Sequence, residues 1–244
     1  MMKKQLVLNF LVFAEKVEQG ILQADLLKEA SELGFSKVEI RREYFQDIAK
    51  EIPEIKKVAK ELQLELFYSV PDEVFVVGKL NPRLLTYLDE AEDMGVQHIK
   101  WNIGDFNGEL PVAELHQLTA RGIEINIEND QTNVSGTIVA IKTFMEAIRR
   151  KQIDIGYVYD LGNWRFVGED ELNAAEALKE YVHYIHVKDV AYAKNQPQVA
   201  ELDQGVINWR KVLAILPQDV PVAIEYPTSS ATEILAAKKR LEEE

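Results

Sequence analysis

The sequence predicts an α/β fold of eight strand–helix units closed into a (β/α)₈ barrel, and three observations carry that prediction. The chain has 244 residues, close to the roughly 250 typical of such a barrel, and long enough for one large core. Eight short runs rich in β-branched and aromatic residues begin near residues 5, 37, 65, 98, 123, 155, 182 and 220, with helical patterns between them. Such alternation means a parallel sheet. Within the runs, oily and charged residues alternate: Val38 and Ile40 with Glu39 and Arg41, Ile99, Trp101 and Ile103 with Lys100 and Asn102, Ile123, Ile125 and Ile127 with Glu124, Asn126 and Glu128. An open parallel sheet, covered on both faces, would be apolar throughout. In a closed barrel the oily face meets the helices and the polar face lines the lumen.

The elements follow in order. QLVLNFLVF, inside the opening MMKKQLVLNFLVFAE, has a leader-like look, but its apolar run from Leu6 to Ala14 is broken by Asn9 and lacks a small-residue cleavage pattern. It is also far too short to span a bilayer, so it reads as a buried strand of a cytoplasmic protein. ADLLKEASELGF then leads to the strand KVEIRR, EIKKVAKELQL precedes ELFYSV, and NPRLLTYLDEAEDMG precedes HIKWNIG. In the first and last of those stretches a glycine supplies the helix stop. IEINIEND, SGTIVAIKTFMEAIRRK, IGYVYDLGN, VHYIHVKD and VPVAIEYP continue the pattern, and TEILAAKKRLEEE closes it as a helix with a solvated end. No linker or composition break divides residues 1–244, so a single domain is expected. Arg41, Lys100, Glu39 and Glu124 are assigned to a lumenal charge network, since a buried unpaired charge is costly. A polar lumen of this kind implies a wet pocket.

Composition narrows the function. With 28 Lys and Arg against 41 Asp and Glu the formal charge is −13, which argues against nucleic acid and anionic membranes as partners. No cysteine is present, so disulfides, thiolate metal sites and cysteine nucleophiles are excluded, in keeping with a reducing compartment.

Function in a barrel collects at the carboxyl ends of its strands, where the loops build the site. The last four strands each place a ligand type there: Glu128, Asp160, His186 and Glu225. Each lies on the non-oily face by the period-two count. Three carboxylates and a neutral imidazole suit Mn²⁺, Mg²⁺ or Co²⁺ better than a closed structural zinc site. Near them, Lys188 is a candidate to neutralise Asp160 or contact a substrate oxygen, and Asn102 and Asn9 are further substrate candidates. Trp164 and Tyr226 flank ligand positions and could offer apolar surface to a sugar.

The phrases I-E-N, D-L-G-N, H-V-K-D and A-I-E-Y-P, with their ligands spaced by 32, 26 and 39 residues, resemble the xylose-isomerase-like TIM-barrel superfamily of sugar isomerases and epimerases over the whole chain. The resemblance implies one divalent ion (Mn, Mg, Co or Zn) held by those four side chains, with Glu128 and Glu225 doubling as catalytic acid–base residues toward a small ketose, keto-sugar or polyol derivative. It further implies a possible homo-oligomer. Two departures stand out. Many members read D-x-x-H where this chain has Asn163; that position binds substrate in the family, and an amide can donate to a hydroxyl but cannot titrate near neutral pH. The stretch ELDQGVINW is similar to the family's Gly-x-Gly loop, with Asp203 and Asn208 in place of expected residues.

The four histidines are His98, His116, His183 and His186. His98 begins a strand, His116 lies in a helix and His183 is expected to face the helices, which leaves His186 alone to bind metal. That scarcity separates the chain from DNA-repair endonucleases of similar fold, which use a trinuclear zinc site rich in histidine. Competing readings are an inosose-type dehydratase using the same metal site and a non-catalytic ligand-binding barrel.

Overall fold

The computed structural model describes residues 5–244; Met1–Lys4, the basic start of the leader-like stretch, lie outside the described residues. The strands are β1 (Leu6–Asn9), β2 (Lys37–Arg41), β3 (Glu65–Val76), β4 (Lys79–Leu80), β5 (His98–Gly104), β6 (Glu124–Glu128), β7 (Ile155–Asp160), β8 (Val182–Val187), β9 (Asp189–Ala193), β10 (Gln196–Ala200) and β11 (Val222–Ile224). All but β4, β9 and β10 pair in parallel in the order β2-β1-β11-β8-β7-β6-β5-β3, and β3 pairs back onto β2 to close the ring. The eight expected runs are thus the eight staves of a closed barrel with helices around it.

The alternation in the strands explains the layering. Ile99, Trp101, Ile103, Ile125 and Ile127 are buried against the helices. The helix Gln23–Glu32 ends just before Gly34, at φ 76°, and the helix Leu84–Met94 is capped by Gly95 at φ 80°, a conformation that suits glycine. Between them, the helix Ile48–Leu62 stops without glycine, on Gln63 in the left-handed region.

The lumen corrects one expectation. Val7, Phe67, Val158, Tyr184 and Ala223 form a separate apolar cluster there. Counting by two, four of them lie one layer beneath Asn9, Asp160, His186 and Glu225. The polar face expected of the lumen is therefore interrupted by a packed apolar layer beneath the mouth. A bulge where β7 pairs β8 supplies a second correction. It turns His183 away from the expected outward direction, to within 3.3 Å of Glu124 Oε1 at the amino-terminal end of β6. His98, stacked on Phe67, reaches the same carboxylate at 3.2 Å.

Two hairpins were not anticipated. One joins β3 to β4, and the other, β9–β10, follows β8 directly; its connecting residues Lys194 and Asn195 both have positive φ, 51° and 63°. That is the pattern of a tight turn matched to strand twist.

Candidate metal centre

Each ligand-type residue is delivered by its strand end. Glu128 and Asp160 are the last residues of β6 and β7, His186 is the penultimate residue of β8, and Glu225 follows β11. Asp160 is braced locally. Its Oδ1 accepts the backbone N–H of Gly162 at 2.8 Å and of Asn163 at 3.0 Å, opening the short helix Asn163–Phe166. This is why D-L-G-N reads as it does: an Asp that caps its own downstream turn. Gly162 leaves room for Lys188, since a Cβ there would lie 2.6 Å from Lys188 Cγ.

One atom from each of Glu128, Asp160, His186 and Glu225 lies within 4.8 Å of all the others, and all four residues are buried. The other atom of each is held by the protein. Glu128 Oε2 accepts from Lys100 Nζ, and Glu225 Oε1 accepts from Arg41 Nη1 at 2.9 Å and Asn9 Nδ2 at 3.2 Å. His186 Nε2 faces Glu39 Oε2 at 2.8 Å. Inward point Glu128 Oε1, Asp160 Oδ2 and His186 Nδ1, buried atoms that make no well-directed hydrogen bond and whose close neighbours are one another and Lys188 Nζ. His186 Nδ1 sits 2.7 Å from Glu128 Oε1 and 3.2 Å from Glu225 Oε2. Buried polar atoms rarely go without a directed hydrogen bond, and three converging on one point, from hard oxygen and borderline nitrogen donors, fit a divalent cation.

The electrostatics agree. Burial pushes the Asp160 carboxyl up, the charges of Glu225 and Glu128 add to that, and Lys188 only partly offsets them, leaving it at about 7. Burial would raise Glu128 too, but Lys100 and His186 outweigh it and hold the group at about 2. Glu225 is held well below the usual carboxylate range against the same burial, by His186 and Lys188. The His186 imidazole is driven well above its ordinary value, despite burial, by Glu225, Glu39 and Glu128. The buried carboxylates and the cations beside them are thus tightly coupled, with His186 driven toward its charged form. A divalent ion among them would leave the imidazole neutral.

The remaining candidates are placed as follows. Lys188 Nζ lies 2.6 Å from Asp160 Oδ2 and 3.1 Å from Glu225 Oε2. Asn102 is half-buried on β5, paired in register with Glu128. Asn163 has both ends of its amide engaged: Nδ2 donates to Asn129 O at 2.7 Å, and Oδ1 accepts from Gln131 Nε2 at 3.0 Å. Trp164 is wholly buried against the Tyr159 ring, and Tyr226 is also buried in the core. In ELDQGVINW, Asp203 accepts from Trp209 Nε1 and pairs with Arg210, while Asn208 caps the helix Trp209–Ile215. Glu39, Arg41 and Lys100 do pair within a lumenal charge network as expected, and through it they touch the ligand side chains, Glu39 facing His186, Arg41 Glu225 and Lys100 Glu128, while Glu124 pairs with His98 and His183. Asn129, which the sequence reading passed over, ties β6 to β7 by accepting from Tyr157 Oη and Asp160 N. The I-E-N phrase carried that signal.

A family model described as xylose isomerase-like TIM barrel matches residues 27–244. None of the curated proteins matches the chain by sequence. Solved structures of the same fold include D-allulose 3-epimerase from Methylomonas sp., 18% identical over 93% of this chain and 86% of that one, with a TM-score of 0.68. A probable 3-DHS dehydratase from Bacillus anthracis is 15% identical, with 100% and 99% of the two chains covered and a TM-score of 0.69. The IOLI protein, described with a binding zinc atom, is 12% identical, with 98% and 96% covered and a TM-score of 0.70. At these identities the structures speak for the fold alone, but the family model spans most of the sequence and the barrel closes as that fold requires: the chain belongs to the xylose isomerase-like TIM-barrel family.

Proposed function

We propose that this chain is a divalent-metal-dependent sugar isomerase or epimerase, moving a proton on a small ketose, keto-sugar or polyol derivative. The observation that carries the reading is the convergence of buried ligand-type atoms from Glu128, Asp160, His186 and Glu225, all within 4.8 Å of one another. One ion of the Mn²⁺, Mg²⁺, Co²⁺ or Zn²⁺ class, held there, would supply Lewis acidity toward a carbonyl and its neighbouring hydroxyl.

The chain's own residues do the proton work. Glu128 and Glu225 are kept ionised by the cations beside them, and β7 and β8 stand between their strands, so in this reading they would flank a polyol. One carboxylate takes the proton from the carbon next to the carbonyl, leaving an enediolate. Return from the opposite face inverts the centre, and return to the adjacent carbon interconverts aldose and ketose. Lys188 and Asn102 are the substrate contacts of this reading. Asn163 and Trp164 drop out of it, because the first has its amide committed to the protein and the second has no exposed surface.

A dehydratase is the second reading, favoured by one observation. Lys188 is an ammonium beside Asp160 and Glu225, and in this reading it would protonate a β-hydroxyl leaving as water after the same deprotonation. Incubating metal-loaded protein with a panel of ketoses and inosose in D₂O separates the two. Deuterium at the carbon next to the carbonyl without loss of water supports the isomerase, and an unsaturated ketone supports the lyase. No exchange with any member, despite bound metal, would overturn both and leave a ligand-binding barrel.

A further inference from the structure

Glu39 has no part in that proton transfer, yet its carboxylate is fully enclosed in the lumen. Its Oε2 accepts from the Tyr184 hydroxyl at 2.5 Å and lies 2.8 Å from His186 Nε2; its Oε1 is buried without a partner. In the ring, β1 and β11 stand between β2 and β8, so this contact crosses the lumen instead of following a strand ladder. A buried carboxylate with an orphaned oxygen is a poor device for stability, and a well-packed apolar residue in such a place is often neutral or stabilising. Glu39 therefore serves something other than packing.

A neutral imidazole carries one ring proton, and the nitrogen that faces an acceptor keeps it. Both ring nitrogens face carboxylates, Nε2 toward Glu39 and Nδ1 toward Glu128 and Glu225. Were an ion to take up the Nδ1 side, Glu39 would be the acceptor left to the ring, so the proton would stay on Nε2 and the lone pair would fall on Nδ1. The negative charge across the ring also makes Nδ1 a stronger donor. We propose that Glu39, itself fixed by Tyr184, is a positioning residue that sets the tautomer and basicity of His186 so that Nδ1 is presented to a metal ion. The inference rests on the metal-centre reading above.

Its test is the Zn²⁺ and Mn²⁺ affinity of wild type, Glu39→Gln and Glu39→Leu by calorimetry. Metal-free melting temperatures and the ¹⁵N spectrum of the His186 ring in zinc-loaded wild type complete it. The amide keeps an acceptor and loses the charge, whereas leucine loses both. The dissociation constants should rise about 10-fold and about 100-fold respectively, with melting temperatures no lower than wild type and the ring proton on Nε2. Wild-type affinity in both variants overturns the proposal, whether or not their melting temperatures fall; so does an Nδ1–H tautomer in wild type, which decides the matter even if a variant fails to fold. Wild type that binds neither ion would instead refute the metal centre itself.

Discussion

Glu128 and Glu225 are chemically alike but differently tethered, one to Lys100 and the other to Arg41, Asn9 and Lys188. Each tether keeps a carboxylate charged inside a protein, where burial alone would neutralise it. Glu128→Gln and Glu225→Gln keep the shape and remove the base. Each should slow deuterium exchange into substrate by ~10²- to 10⁴-fold, read by mass spectrometry. Residual exchange within a factor of a few of wild type would remove that residue from the chemistry. Gly162→Ala tests the Lys188 contact from the other side: its Cβ, 2.6 Å from Lys188 Cγ, should cost about 1–3 kcal/mol of stability through overpacking. A urea melt reads the loss, and an unchanged midpoint would show that the lysine stem can move aside. At this scale the sequence was legible where a residue type and a strand end coincided, as for Asp160 and His186. It was silent on partners across the lumen: nothing within K-V-E-I-R-R says that Glu39 meets a histidine 147 residues later.

The strands carried their own signal because a barrel stave is oily outward and polar inward, and period two survives in a single sequence. Irregularities did not carry it. The bulge in β8 shifts the alternation by one position, so counting outward from His186 placed His183 on the wrong face. The β9–β10 hairpin was missed because its Lys194–Asn195 turn lacks glycine, although Asn tolerates positive φ. The bulge also has a pH signature. The hydrogen bond to Glu124 holds the His183 imidazole above its ordinary 6.5, outweighing burial. Glu124, against burial, is held below its ordinary 4.5 by His183 and His98. The histidine contribution is present below about 6.5 and lost as pH rises through the raised value. The glutamate contribution is present above about 4.5 and lost as pH falls through the lowered one. Glu124→Gln should therefore lose most stability relative to wild type between about pH 4.5 and 6.5, and the gap should narrow in alkali. Urea midpoints across pH check this, and a gap that widens above pH 8 would contradict the pairing.

For the whole molecule, closure of the ring by β2 and β3 brings the carboxyl ends of β6, β7, β8 and β11 around one point. Eight strand–helix units and their order could be read from periodicity; the filling of the lumen could not, because the apolar layer of Val7, Phe67, Val158, Tyr184 and Ala223 is drawn from five different strands or their flanks. Since the ligands come from four elements far apart in sequence, an ion would bind the folded state only. At 100-fold excess over the dissociation constant it should add about 2.7 kcal/mol, which for a domain of this size is a rise of roughly 5–10 °C in melting temperature. Asp160→Ala should abolish that rise. The central claim is that one cation belongs at the meeting point of Glu128, Asp160, His186 and Glu225, and elemental analysis after metal loading and dialysis tests it most directly. Wild type should retain about one divalent ion per chain, and His186→Ala and Asp160→Ala should retain essentially none; an undiminished ion in both variants would contradict the account.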